Sequence, residues 1–488
     1  MPRERLLSKL GLRAVLLLLA PTLLFIFFMH FLPGTDPDYW WHVRTGQYIY
    51  ETGAIPTVDI YSYTAAGKPW VAHEWLSELM FYVVQRQLGY VGNVALFGLL
   101  SMLTWLAVYA TCRRRGIGEL SATALMIWGY VVAMGSINVR PQMLTALLLA
   151  VAALLLTRYK QGQPKPLWAL PPLFALWVNL HGGYVIGLAL VVLTVGGEAL
   201  SHVLRRPAAP IKPLAAIAVF SAAATMLNPN GVEALLYPFS YAGTQNASMQ
   251  YIAEWQSPDF HASLFVALAA SLLLAIVLGI GRRPLGISEV LWTLAFGFMA
   301  LQSARHVPLY AVVIMPLLAA RIQAEIPALR NSVSTWKRPA VLGVTWLMLA
   351  AIVLATLADP EKRSKLQLGY EPSSATYPAG AVEYLRVHNL EGNLFNDYGW
   401  GGYLIYQLYP ERRVFIDGRA DVYGDAFVGS YIAVHRLQPN WRQVLEEHGV
   451  PLALVGKDSV VATVLSADPA WREVYAGEVE RLFVREAQ

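Results

Sequence analysis

Hydrophobic residues along this chain gather into long runs separated by short polar connections, from near the N-terminus to about residue 358. About eleven of these runs approach the ~20 apolar residues that a membrane-crossing helix needs. They fall at residues 14–32, 91–112, 119–137, 141–157, 167–180, 182–200, 212–228, 262–280, 286–304, 306–321 and 339–357, two close pairs being broken at His181 and Arg305. Lys and Arg test the pattern, because they concentrate in cytoplasmic connections. With the N-terminus inside, the inner segments hold clusters such as Arg113–Arg115, Arg205–Arg206 and Arg282–Arg283. The outer loops before the tail hold Arg44, Lys68, Arg86, Arg140 and Arg305. The alternation holds at every turn. It predicts a polytopic α-helical membrane protein of the plasma membrane, its N-terminus cytoplasmic and everything beyond Asp359 outside.

The division that follows is a transmembrane domain over 1–358 and an extracytoplasmic domain over 359–488. The transmembrane domain carries a first external loop over residues 33–90, and a smaller external segment spans 228–260. No internal repeat of the kind found in inverted-repeat transporters is visible.

Within the first loop, residues 37–51 read as a helix stopped by Gly53. Residues 60–64 read as a short extended piece and 65–68 as a turn. Over 74–88 the apolar positions Leu76, Leu79, Met80, Val83 and Val84 share one helix face, and Ser77, Glu78, Gln85 and Arg86 share the other. That pattern predicts a helix lying in the membrane interface with Trp75 as its anchor.

Composition agrees with the pattern. The 488 residues are 56% hydrophobic and 14% charged, with a mean hydropathy of +0.44. A soluble domain carries roughly 25% charged residues. The single cysteine, Cys112, excludes an intramolecular disulfide and any CxxC metal cluster. A net charge of +5 that segregates by membrane side gives no nucleic-acid surface. The first run is longer than a signal-peptide core and no small-x-small site precedes the loop, so it reads as a retained span.

The loop opens TDPDYWWHVRTG, from Thr35 to Gly46, placing Asp36 and Asp38 directly after a membrane-length run. Charge so close to hydrocarbon marks function by default. Asp36 before Pro37 is also ordinary helix-capping chemistry, and Asp38 would complement the helix dipole. Five titratable groups share this loop: Asp36, Asp38, Asp59, His73 and Glu74. Carboxylates gathered in a desolvated cleft serve as a general base or hold a divalent cation.

This layout resembles the GT-C superfamily of glycosyltransferases, membrane enzymes that use polyprenyl-phosphate-linked sugars. The shared features are a first span, an external loop opening with acids, interfacial helices, further spans and an external C-terminal domain. The strings DPDYWWHVRTGQYI, GKPWVAHEWL, LFNDYGWGGYLI and VFIDGRADVYGD look like a group of bacterial membrane proteins of this type. The resemblance implies that Asp36 and Asp38 supply the catalytic base or a metal-binding carboxylate. Some members of that superfamily hold a divalent cation, so the resemblance leaves open both a metal-free reaction and one using Mg or Mn, with Asp59, His73, Glu74 and Glu254 as the candidate ligands or acceptor contacts. A lipid phosphate leaves in such a reaction and calls for positive charge. Arg140 and Arg305 at outer span ends are the first candidates for it, with snorkelling to the interface as the alternative; His306 and Arg44 rank second, and His181 reads better as the cap of a tight interhelical turn. The partners implied are a polyprenyl-phosphate-linked sugar donor, membrane lipid, and a glycan, lipid or protein acceptor.

The tail alternates helix and strand: helices at 378–389, 400–408, 425–436 and 440–448, strands at 393–396, 413–417 and 452–456, and a hairpin over 471–485. That predicts a small α/β layer fold. Asn396, Asp397, Asp417, Arg419 and Asp421 would then follow strands at one sheet edge, where such folds bind ligands. They read as a recognition site for acceptor or sugar, or else as a buried Arg–Asp network with GWGGY as a close-packed turn.

Transfer from a polyprenyl-phosphate sugar on the outer face is the leading function. A flippase or exporter would place charge at mid-span, where these runs have almost none. A ligase or polymerase of lipid-linked oligosaccharides would lean on a late loop's Arg and His, and an assembly factor would use the tail to recruit a partner.

Overall fold

A computed structural model describes residues 19–31, 36–136, 138–240, 251–279, 285–327 and 376–486, with 347, 350, 354 and 358 besides. The rest of the run predicted at 339–357, the first residues of the tail and the N-terminal part of the first run lie outside the described residues. The chain forms two compact units that interleave in sequence. One is built from 1–34, 94–238 and 253–367, the other from 35–93, 239–252 and 368–488.

The first unit is a bundle of apolar helices. Among the described residues four helices are long and apolar enough to cross a membrane: Trp75–Arg114, Gln142–Lys160, Tyr184–Val203 and Ala304–Glu325. Shorter apolar helices occupy Ala20–Met29, Glu119–Ala133, Ile211–Ala224, Ser263–Gly279 and Ile287–Gln302. Each coincides with a predicted run. Phe174, Trp177, Trp292, Phe296 and Tyr310 fill the interior, while Val192, Val219, Leu273 and Phe298 stand outside, as suits helices whose solvent is lipid.

The run at 167–180 behaves differently. Its helix, Leu170–Leu180, has 11 residues, about 16 Å at the α-helical rise and half the ~30 Å of hydrocarbon. It ends at His181 because that side chain caps the turn. Nδ1 accepts the Gly183 N–H at 2.9 Å and pairs with Thr145 Oγ1 at 2.8 Å. Thr145 in turn accepts the Trp177 indole N–H at 2.9 Å. His181 is a turn residue.

A polar clasp joins helix ends in this unit. Lys160 Nζ donates to Ser288 Oγ at 2.6 Å and lies 3.2 Å from Glu198 and 3.7 Å from Glu289. Arg115 meets Glu289 at 2.7 Å, and Ser288 donates to Glu198 at 2.8 Å. Gly197 lets the helices approach: a Cβ there would lie 2.3 Å from the Ser288 Cα.

The second unit combines the 35–93 segment with the tail. Its first helix is Tyr39–Thr52, ended by left-handed Gly53 (φ 67°). The long helix starting at Trp75 is interrupted at Gly89 (φ 66°, ψ −168°), which separates the predicted interfacial helix from the span. The faces of that first piece are sorted in an unusual sense. Ser77, Glu78, Phe81 and Gln85 are buried, while Val83 and Leu88 are exposed. Three polar side chains turn in together with Phe81, and Arg86 stays out with Val83 and Leu88.

The tail carries a four-stranded sheet in the order β1-β2-β4-β3, formed by β1 (Leu394–Asn396), β2 (Leu452–Gly456), β3 (Trp471–Ala476) and β4 (Glu480–Arg485). The β1–β2 pair is parallel and the others antiparallel. Helices Ala379–Val387, Gly401–Leu408, Asp425–His435 and Trp441–Glu447 match the predicted ones, and Val460–Ala467 is additional. The strand predicted at 413–417 does not join the ladder. Val414 makes one isolated parallel bridge to Ser62. The Asn396 side chain replaces the ladder, accepting the Phe415 N–H and donating to the Ile416 carbonyl, both at 2.9 Å.

Candidate active site

The acidic loop is built around the start of helix Tyr39–Thr52, two residues later than the sequence suggests. Asp38 is the N-cap residue by position. Asp36 still caps an N–H, because its Oδ1 accepts the Asp38 backbone N–H at 2.9 Å. Such an Asx turn fixes the approach to the helix. Asp38 Oδ1 accepts the Trp41 indole N–H at 3.1 Å, a bond that the i, i+3 spacing allows. Behind Asp38 stands the tail's D-G-R turn. A Cβ on Gly418 would lie 1.7 Å from Asp38 Oδ1, so only glycine leaves room for the carboxylate. Asp36 is buried and Asp38 half-buried.

Beside this turn lies a second titratable group of residues. His42 Nδ1 lies 3.6 Å from Glu78 and 3.7 Å from Glu74, and His73 Nε2 lies 3.6 Å from the other Glu74 oxygen. Burial pulls the His73 imidazole down, but its hydrogen bond to Glu74, the charge of Glu74 and that of Asp421 more than reverse this and hold it at about 9. The imidazole is 28% exposed.

The loop is held by a buried ion network. Arg419 Nη2 reaches Asp59 at 2.8 Å and Asp417 at 2.7 Å, and all three side chains are at most 1% exposed. Arg419 Nε donates to Asp417 Oδ1 at 2.8 Å, and the Tyr423 hydroxyl donates to Oδ2 at 2.6 Å. Asp59 also accepts from Ser62 Oγ at 2.6 Å. The guanidinium lies over the rings of Trp70 and Tyr61, 4.5 and 5.0 Å from their centroids. Burial disfavours its charge, yet the two carboxylates hold its pKa well above the usual arginine value.

Of the two readings of the tail residues, these contacts match the buried Arg–Asp network. Asn396, Asp417 and Arg419 are buried and engaged through these bonds, with Arg419 Nη1 left without a hydrogen-bond partner among the described residues. Two of the three glycines of GWGGY are close-packed: a Cβ on Gly401 would meet the Ile416 carbonyl at 2.3 Å, and one on Gly402 the Pro37 carbonyl at 2.5 Å, while one on Gly399 would meet open space. Asp397 sits at the carboxyl edge of β1, accepting the Gly456 N–H at 3.1 Å and the Tyr431 hydroxyl at 3.1 Å. Asp421 is exposed. Arg44 is tied to the tail, donating to the Tyr409 carbonyl at 2.6 Å and to Gln47 at 2.7 Å.

The first unit holds the cationic candidates. Glu254, on the short turn Ala253–Trp255, lies between two arginines: its Oε2 is 2.6 Å from Arg140 Nη1 and its Oε1 3.0 Å from Arg305 Nη1. The turn is fastened by Ser303 Oγ, which donates to the Glu254 carbonyl at 3.0 Å, and by the Ala304 N–H donating to the Gln256 carbonyl at 2.9 Å. Arg305 also lies 4.8 Å from the Trp255 ring centroid, and His306 packs edge-on against that ring at 6.2 Å. Glu254 and Arg305 line a cavity of about 470 Å³ with Asn138, Gln142, Ser257 and Asp259.

Among the described residues no group of three or more His, Cys, Asp or Glu side chains gathers at metal-binding spacing. Two of the candidate ligands are already neutralised, Asp59 by Arg419 and Glu254 by Arg140 and Arg305. His73 and Glu74 pair with each other. These residues do not form a donor set for a hard divalent cation.

Sequence reasoning passed over Trp41, His42, Glu78 and Gly418. The signal for the first two was present in the i+3 and i+4 spacing from Asp38. Nothing in one sequence marks Gly418 as the wall behind Asp38.

No protein-family model matches the sequence, and no curated protein matches it. Solved structures do. The archaeal oligosaccharyltransferase AglB from Archaeoglobus fulgidus, in complex with an inhibitory peptide and a dolichol-phosphate, is similar over 89% of this chain and 69% of its own, with 12% identity and a TM-score of 0.55. ArnT from Cupriavidus metallidurans in the apo state is similar over 97% of this chain and 98% of its own, with 13% identity and a TM-score of 0.52. The arabinofuranosyltransferase AftD from Mycobacteria covers 98% of this chain, which spans 42% of AftD, with 14% identity and a TM-score of 0.52. At such identities the likeness speaks to the fold. The chain has the fold of the GT-C glycosyltransferases.

Proposed function

We propose that this protein is a membrane glycosyltransferase that moves a sugar from a polyprenyl-phosphate-linked donor to an acceptor on the outer face of the plasma membrane. The observation that carries the proposal is the Asp36–Asp38 turn at the head of a helix, its second carboxylate fixed by Trp41 and seated on Gly418, in a chain with the GT-C fold. The AglB structure contains a dolichol-phosphate, which supports a lipid phosphate as the leaving group. In this reading Asp36 and Asp38 orient the acceptor hydroxyl and take its proton, work that contributes typically 10²–10⁴-fold. The cleft of Arg140 and Arg305 receives the departing phosphate. No step is routed through a metal.

The test is transfer from polyprenyl-phosphate sugars in proteoliposomes, the donor sugar identified by mass analysis of envelope glycans in cells lacking the protein. Asp36→Asn and Asp38→Asn should insert and accumulate like the natural protein yet lose transfer by about 10²-fold or more. Full transfer in both single variants would remove the acids from the mechanism.

A further inference from the structure

We propose that two neighbouring turns at one end of the helix bundle, 161–168 and 203–212, form a docking surface for the head group of an anionic phospholipid. The surface stands apart from the transfer chemistry, on the face that the charge bias predicts to be cytoplasmic. Four helix ends meet there: Gln142–Lys160 and Tyr184–Val203 finish, and Leu170–Leu180 and Ile211–Ala224 begin. Packing holds the two turns together. The Tyr159 hydroxyl donates to the Pro210 carbonyl, the Lys165–Ala169 turn packs on both Gln142–Lys160 and Ile211–Ala224, and the Trp168 ring lies 6.1 Å from that of Phe220.

Four cations stand on these turns, Lys165, Arg205, Arg206 and Lys212, and all are exposed. Residues 158–168 and 199–213 contain no Asp or Glu, and among the described residues no ion pair holds any of the four. The nearest carboxylate in sequence, Glu198, is buried against Lys160 and Ser288. A charge bias across a membrane requires only that Lys and Arg be present; it does not leave them unanswered. At the turn that Gln161 joins through the Arg114 carbonyl, Arg113 meets Glu119 at 3.3 Å and Arg115 meets Glu289 at 2.7 Å.

Arg205 is conformationally costly. It has φ 54° just past the end of helix Tyr184–Val203, with its N–H donating to the His202 carbonyl at 3.0 Å and the Arg206 N–H to the Ser201 carbonyl at 2.8 Å. Glycine usually fills this left-handed closing position, and an arginine adds a guanidinium there against the backbone preference. Trp168, exposed beside the start of Leu170–Leu180, supplies an amphipathic ring of the kind that settles at head-group level. Cations gathered between helix ends attract anionic head groups, each Lys or Arg contributing about fivefold in affinity.

The test places the full-length protein in nanodiscs of equal parts phosphatidylglycerol and phosphatidylcholine and reads the phospholipid it retains by native mass spectrometry. Thermal unfolding in discs of phosphatidylcholine alone measures folding. The natural protein should keep phosphatidylglycerol over phosphatidylcholine by about tenfold or more. Arg205→Gly removes one charge and suits the left-handed backbone, so it should lower that preference about fivefold while melting no lower in phosphatidylcholine. Adding Lys165→Gln, Arg206→Gln and Lys212→Gln should leave the two lipids retained alike; if that protein melts early, Arg205→Gly carries the test alone. Arg113→Gln takes one charge from the same face, at a residue already paired with Glu119, and should leave the preference as it was. No preference in the natural protein, or an unchanged one in Arg205→Gly or the quadruple variant, overturns the proposal. An equal loss in Arg113→Gln and Arg205→Gly overturns it too, since the preference then belongs to the charge of the whole face. So does a melting point in phosphatidylcholine that inorganic phosphate raises as far as phosphatidylglycerol does, which makes the surface a site for a free anion.

Discussion

Gly418→Ala isolates the placement of Asp38 from its chemistry. Residue 418 is not among the glycines with positive φ, so the backbone accepts alanine and the whole effect is steric. The new Cβ would lie 1.7 Å from Asp38 Oδ1 and 2.7 Å from its Cγ. To restore an ordinary carbon–oxygen contact of about 3.3 Å the carboxylate must retreat by roughly 1.5 Å. That movement breaks the 3.1 Å bond from the Trp41 indole, worth about 1.5–3 kcal/mol for a charged acceptor. Overpacking alone costs about 1–3 kcal/mol. A catalytic group misplaced by about 1 Å loses ~10²-fold. Gly418→Ala should therefore lower kcat by about that factor in the proteoliposome transfer assay while destabilising the protein by about 2–4 kcal/mol in thermal unfolding. The double variant with Asp38→Ala decides the cause. With the carboxylate gone the alanine has room, and a coupling of about 1–3 kcal/mol should appear. The same loss of stability in both backgrounds would place the clash elsewhere, and an undiminished kcat in Gly418→Ala would refute the idea that transfer depends on where Asp38 sits.

Arg419→Met should cost about 3–5 kcal/mol, because it strands the buried carboxylates of Asp59 and Asp417; a protease-protection loss of less than about 1 kcal/mol would contradict the network's role. His73 gives a pH signature. Its folded value of about 9 lies above the unfolded 6.5, so the stability it contributes is complete below pH 6.5 and is lost as pH rises through 9. Melting scans from pH 6 to 10 should show that decline, and His73→Gln should flatten it; an equal slope in the variant would assign it to other groups. Lys160→Met should destabilise the helix bundle by about 3 kcal/mol by leaving Glu198 and Glu289 without the cation they share. Adding Glu198→Gln should recover part of the loss in detergent melts.

The bundle was legible because lipid imposes one rule, about 20 apolar residues per crossing, and the predicted runs coincide with apolar helices wherever the structure describes them. Gly53 was readable on local grounds as a helix stop. The helix Val460–Ala467 had a readable start that was passed over: Ser459 accepts the Ala462 N–H as a proper cap. What escaped was long-range. Asp59 and Arg419 each look like surface chemistry when read alone, and a single sequence carries no sign that they neutralise each other. The segment 413–417 has an extended pattern, but its partner is the Asn396 side chain, which no strand rule anticipates. Of the predicted polar face of the 74–88 helix, Ser77, Glu78 and Gln85 are buried and Arg86 is exposed, and that burial, with Glu78 facing His42, depends on what the rest of the unit supplies.

The ion network that joins Asp59 to Asp417 through Arg419 has a consequence for biogenesis. The ribosome makes the two halves of this unit far apart in time, as the 351-residue separation between Thr64 and the Phe415 carbonyl it bonds makes plain. Until the tail is made, Asp59, Tyr61 and Trp70 wait without the cation that organises them. Maturation of the unit therefore waits for the later segment, and chaperones or quality-control proteases have a long interval in which to act on it.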